Sequence, residues 1–78
     1  MRDSGKTYKL IEIVGVSERS TEDAIHSAIA QASQTLKGLD WFEVKETRGL
    51  IQEGKVSQFQ VTLKIGFRIL SEDELKRD

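Results

Sequence analysis

The chain contains no cysteine, so disulfide staples and thiolate metal centres are excluded and the redox compartment is left open. It has a single histidine, which rules out a multi-histidine metal site within one chain. It also lacks a surplus of either charge. Twelve basic and thirteen acidic side chains leave a net charge of -1, which argues against a dedicated nucleic-acid binder. No apolar run is long enough to span a bilayer, so no membrane partner is expected. The first six residues lack the apolar centre of a signal peptide, and the default compartment is the cytoplasm. Catalytic constellations are missing too. The lone His26 has no evident partner, and the serines fall in connections or caps, so the chain is not expected to be an enzyme.

What remains is a chain of 78 residues, one domain at most. A domain this small buries only about 60% of the surface its unfolded chain exposes. Disulfides, metals or oligomerisation usually supplement so small a core. With the first two excluded, self-association is the expected supplement.

Residues 1–6 are polar and read as an N-terminal arm, residues 7–70 as the folded domain, and residues 71–78 as a charged C-terminal tail. A first strand is expected from Thr7 to Val14, closed by Gly15. Tyr8, Leu10, Glu12 and Val14 share one of its faces, and Lys9, Ile11 and Ile13 the other. Both faces are partly apolar, which suggests a strand covered on two sides. Ser20 is placed to cap a helix, and Glu22 and Asp23 suit the positive end of its dipole. The helix is expected to run to about Lys37 and stop at Gly38. Ile25, Ala28, Ile29, Ala32 and Leu36 form its apolar stripe, with His26 beside it as a surface residue.

Two long strand-like runs follow, Trp41 to Gln52 and Lys55 to about Leu70, joined by the tight turn Glu53-Gly54. In the second run Phe59, Val61, Leu63, Ile65, Phe67 and Ile69 make an apolar face. Gln58, Gln60, Thr62, Lys64 and Arg68 lie opposite, with Gly66 among them. A two-residue turn pairs Trp41 with Gly66, Phe42 with Ile65, Glu43 with Lys64 and Val44 with Leu63. Continued without interruption, it also pairs Lys45 with Thr62 and Thr47 with Gln60. Trp41, the only tryptophan, thus lies on the polar face of a strand with a glycine across from it. Two readings are open. It fills a subunit contact, or it is a flat platform on which a planar ligand stacks. Gln60, on the same face, offers both a donor and an acceptor suited to the edge of a heterocycle, or is an ordinary solvent-facing strand residue.

The expected fold is α+β: β-α-β-β, a three-stranded antiparallel sheet wrapped around one helix. The segments Leu39-Asp40-Trp41-Phe42-Glu43-Val44, Thr47-Arg48-Gly49 and Phe59-Gln60-Val61-Thr62-Leu63-Lys64-Ile65-Gly66-Phe67 closely resemble the dodecin family of small flavin-binding proteins. The N-terminal Tyr8-Lys9-Leu10-Ile11-Glu12-Ile13-Val14-Gly15 fits the same pattern. The resemblance implies assembly into a hollow homododecamer. It also implies an FMN, or alternatively riboflavin or coenzyme A, as bound small molecule. Trp41 would stack on the isoalloxazine ring at a two-fold axis, and Gln60 would bond its polar edge. Arg48 and Arg68 would contact the phosphate-bearing part of the ligand or neighbouring subunits. The implied role is flavin storage and suppression of its photochemistry. The alternative is a self-assembling cage without flavin. One departure from the family pattern is Leu50, where a histidine is common after the Arg-Gly step.

Overall fold

A computed structural model describes residues 6–69. The expected arm, apart from its last residue, and the expected tail lie outside the described residues. Four elements follow in order: β1 (Tyr8–Ser17), α1 (Thr21–Ala32), β2 (Leu39–Gln52) and β3 (Lys55–Arg68). The three strands form one antiparallel sheet in the order β1-β3-β2, and α1 packs on one of its faces.

The core lies between α1 and the central strand. Val61, Leu63 and Ile65 of β3 are fully or almost fully buried, against Ala24 and Ala28 of the helix. Ile11, Ile13, Ile25, Ile29, Ala32 and Leu39 pack around them. Small residues on the helix let it approach closely. Gly15 lies so near α1 that a Cβ there would collide with the Ala24 carbonyl. This explains why β1 runs through Gly15 to Ser17 instead of stopping at it: the glycine accommodates the helix and does not end the strand.

Ser20 caps α1 as expected, its Oγ accepting from the Asp23 amide at 2.9 Å. Around this cap, Ser17 Oγ donates to Asp23 Oδ2 at 2.7 Å and Arg19 Nη2 to Asp23 Oδ1 at 3.1 Å. The C-terminus departs from expectation. The helix ends at Ala32, and residues 33–35 form turns. Ser33 Oγ donates to the Ala30 carbonyl, and the Gln34 and Thr35 amides bond three residues back. Polar side chains that compete for backbone groups unwind the last turn before Gly38 is reached.

Twelve helical residues extend about 18 Å, whereas the fourteen of β3 extend about 46 Å. The molecule is accordingly 61 × 23 × 13 Å. The helix covers parts of β1 and β3 and leaves most of β2 bare. Phe42, Val44 and Ile51 are exposed in the single chain, as are Leu10 and Val14 of β1 on the opposite face. The two-sided cover expected for β1 is therefore one-sided within one chain.

The hairpin turn has positive φ at both central residues, 52° at Glu53 and 78° at Gly54, as a tight two-residue connection of this hand requires. Pairing beyond it matches the expected register at both ends but not in the middle. Gln52 faces Lys55 and Ile51 faces Val56, while Val44 faces Leu63, Glu43 faces Lys64, Phe42 faces Ile65 and Trp41 faces Gly66. Between Leu50 and Glu46 the partners are shifted by one residue, with irregularities at Leu50/Ile51 and at Val44/Glu46. Ser57 is the extra residue on β3 and Lys45 the extra residue on β2. Two bulges on opposite strands cancel. The expected Lys45–Thr62 and Thr47–Gln60 pairs are therefore replaced by Glu46–Thr62 and Arg48–Gln60.

Candidate functional site

The sheet face away from α1 carries the residues of interest. Gly66 is buried there, and the Trp41 indole lies directly over it. A Cβ built on Gly66 would overlap the six-membered part of the indole. The glycine backbone thus supports one side of the ring, while Trp41 as a whole remains 43% exposed. Tyr8 reaches over from β1 on the other side of β3. Its ring centroid is 4.9 Å from that of Trp41, with the planes inclined at 59°. Such tilted contacts are favourable for aromatic pairs. The Tyr8 hydroxyl donates to Asp40 Oδ2 at 2.9 Å, so ring and carboxylate form a clasp across the central strand. That bond, with some burial and the Asp40 charge, raises the Tyr8 pKa above its ordinary 10.0. The phenol therefore stays protonated and keeps donating throughout the neutral range. The indole is held from beneath and from one side, and its remaining surface is open.

Gln60 stands farther along the same face. It is six positions from Gly66 along β3, about 20 Å at the usual rise of a strand. One chain therefore does not bring Trp41 and Gln60 together around a single small ligand. The shifted register instead puts Arg48 across from Gln60, on the Trp41 face. Arg48 Nε donates to Gln60 Oε1 at 2.9 Å, and Gln60 Nε2 donates to Gln58 Oε1 at 3.0 Å. Arg68 sits on β3 at the Trp41 end, paired directly with Tyr8 of β1, with its backbone amide bonded to the Gly38 carbonyl at 2.9 Å. The two arginines thus mark opposite ends of the face. Leu50, partly exposed, faces Gln58. Between the two ends Lys45 reaches Glu12 at 3.7 Å, an exposed ion pair that contributes little to stability.

A shallow depression of about 130 Å³, lined by Ile29, Leu39, Asp40, Trp41, Phe42 and Ile65, opens at the edge of β2. Pockets for small organic ligands usually measure about 300–1,000 Å³. Among the described residues no group of three or more His, Cys, Asp or Glu side chains is arranged to hold a metal ion. No helix among them is long and apolar enough to cross a membrane.

Sequence reasoning missed Tyr8, Asp40 and Gln58. Tyr8 and Asp40 meet only because β1 pairs with the far edge of β3, a register the sequence does not declare. The alternation of the last strand-like run placed Gln58 on the right face, but gave no sign of its bond to Gln60.

These features define a small β-α-β-β protein with a one-sided aromatic platform and an amide-and-guanidinium cluster on its free sheet face. The dodecin family model matches residues 7–70. A dodecin from Thermus thermophilus is 55% identical over 65 residues, covering 83% of this chain and 94% of the relative. Solved structures agree. The dodecin from Streptomyces coelicolor superposes with a TM-score of 0.84 at 46% identity, covering 90% of this chain and all of that one. The tt0972 protein from Thermus thermophilus gives 0.82 at 54% identity, covering 86% of this chain and 98% of that one. The chain belongs to the dodecin family.

Proposed function

We propose that this chain is a flavin-binding storage protein that sequesters FMN and quenches its photochemistry without turning it over. The observation that carries the reading is the Trp41 platform. An indole braced by Gly66 and Tyr8, with its other surface open, is preorganised for a planar heterocycle and costs little to order on binding. Self-association completes the site. A two-fold axis at Trp41 brings two indoles around the ligand, and Gln60 comes to the ring edge from another copy, because about 20 Å separates it from Trp41 within one chain. The exposed Phe42, Val44 and Ile51 are an apolar strip suited to cover by a second copy. The expected assembly is a homododecamer. Arg48 and Arg68 provide guanidinium forks for the FMN phosphate.

A second reading rests on the same apolar strip, which calls for association whether or not a ligand is present. On that reading the chain forms a cage in which Trp41 fills a subunit contact and coenzyme A is the small molecule held. One experiment separates the two. Purified protein is examined by light scattering, and the material it releases by absorbance and mass spectrometry. A mass near twelve chains with released FMN supports the first reading. Colourless twelve-chain particles that take up no added flavin leave only the second.

A further inference from the structure

We propose that Gln58 is a positioning residue for flavin binding, acting by fixing the orientation of the Gln60 amide; this rests on the flavin-binding reading above. The two ends of a glutamine amide differ chemically but not in shape, so only its partners set which way it points. Arg48 can only donate, and its Nε lies 2.9 Å from the Gln60 side chain, so Gln60 must turn its oxygen toward β2. This puts Nε2 toward Gln58, whose Oε1 accepts from it at 3.0 Å. Gln58 can reach because residues two apart on a strand share a face. On the other flank of Gln60 stands Val16, whose side chain offers no hydrogen bond. Gln58 is therefore the acceptor that complements Arg48.

Satisfying both ends does not use up the amide. It has two N–H donors and two acceptor lone pairs, and one of each is engaged. One N–H and one lone pair remain side by side. Their order is set by Arg48 on one side and Gln58 on the other. An adjacent donor and acceptor complements a cyclic imide edge, where an N–H stands next to a carbonyl, as in the pyrimidine ring of a flavin. With Gln58 removed, the amide keeps only its bond to an exposed guanidinium. Held at its oxygen end alone, it pivots about that bond and presents its free N–H and lone pair to the ring only part of the time.

The test is a double-mutant cycle with riboflavin as probe, so that no phosphate contact enters. Gln58→Leu, Gln58→Glu, Gln60→Leu and Gln58→Leu/Gln60→Leu are prepared as full chains, and their assembly is checked by light scattering. Gln58→Leu is expected to weaken riboflavin binding about five- to tenfold, the scale of one modest hydrogen bond. Gln58→Glu, which keeps an acceptor in place, is expected to bind within about twofold of the parent. In the Gln60→Leu background the Gln58→Leu change is expected to have no effect, since there is no amide to orient. A loss of the same size in both backgrounds, or none in either, overturns the proposal and leaves the flavin reading intact. A parent that assembles but binds no riboflavin and no FMN overturns both.

Discussion

The Trp41 indole rests on Gly66, its partner across the β2–β3 ladder, and occupies the space a side chain there would need. The sheet has made room for the ring by omitting a Cβ near the end of its central strand. Gly66→Ala is therefore expected to lift the indole off the sheet. Overpacking of this kind costs about 1–3 kcal/mol. Thermal melting and tryptophan emission read the two effects separately. A variant with unchanged melting temperature, emission and flavin affinity would show that the ring position is not set by the glycine.

Trp41 itself is expected to contribute through stacking. Aromatic stacking on a heterocyclic base is worth about 1–3 kcal/mol in nucleic-acid complexes, and a similar scale applies here. Trp41→Ala should weaken FMN binding at least about tenfold and leave any bound flavin more fluorescent. Trp41→Phe should retain part of the affinity. Fluorescence titration of assembled variants decides the matter; equal affinities for the parent and Trp41→Ala would return Trp41 to a purely structural role.

Arg48 and Arg68 are expected to make the ligand preference salt-dependent. FMN should bind more tightly than riboflavin at low ionic strength, and the gap should narrow as salt rises, because exposed charge pairs are screened. Arg48 Nε donates to Gln60, and on the flavin-binding reading its outer nitrogens would serve the phosphate. Arg48→Lys should consequently weaken riboflavin as well as FMN, since an ammonium cannot make both contacts in the same geometry. An effect on FMN alone would separate Arg48 from Gln60 function.

Asp23 is expected to make the start of α1 sensitive to acid. The Ser17 hydroxyl and the Arg19 guanidinium both donate to its carboxylate, which holds its pKa below the ordinary 3.8. A depressed folded-state value means that the contribution to stability is present above 3.8 and is lost as pH falls through the folded value. Asp23→Asn should be the less stable protein at neutral pH, and the difference should shrink on acidification through this range. Melting curves at neutral and acid pH provide the check, and a constant difference would refute the linkage.

The alternation of β3, the turn at Glu53-Gly54 and the Trp41–Gly66 rung were all legible, because each follows from side-chain period or turn chemistry. The extra residues Lys45 and Ser57 were not. Neither carries a mark that separates it from an ordinary strand residue, and a bulge leaves the alternation at both ends intact. Thr47 was therefore placed across from Gln60 where Arg48 belongs, and the hydrogen bond that ties the amide to the guanidinium was out of reach. The helix end failed for a different reason. Gly38 is a stronger stop signal than Ser33, yet the local competition for backbone groups begins at Ser33. The separation of Trp41 from Gln60 follows from simple counting along β3.

The paired bulges also set the parity of the segment between them. In an unbroken ladder, even-numbered β2 residues would point with Phe42 and Val44 toward the helix side, Arg48 among them. The extra residue at Lys45 inverts that rule for 46–50, and the one at Ser57 restores alignment before the turn. The facing of Arg48 is thus a property of backbone length and not of its own chemistry. Were Lys45 paired with Thr62 instead of bulged, Thr47 would come onto the Gln60 rung without a change in any side chain there. A pair of bulges turns one guanidinium to the free sheet face instead of the helix side and leaves Trp41 and Gln52 in the register of an unbroken hairpin.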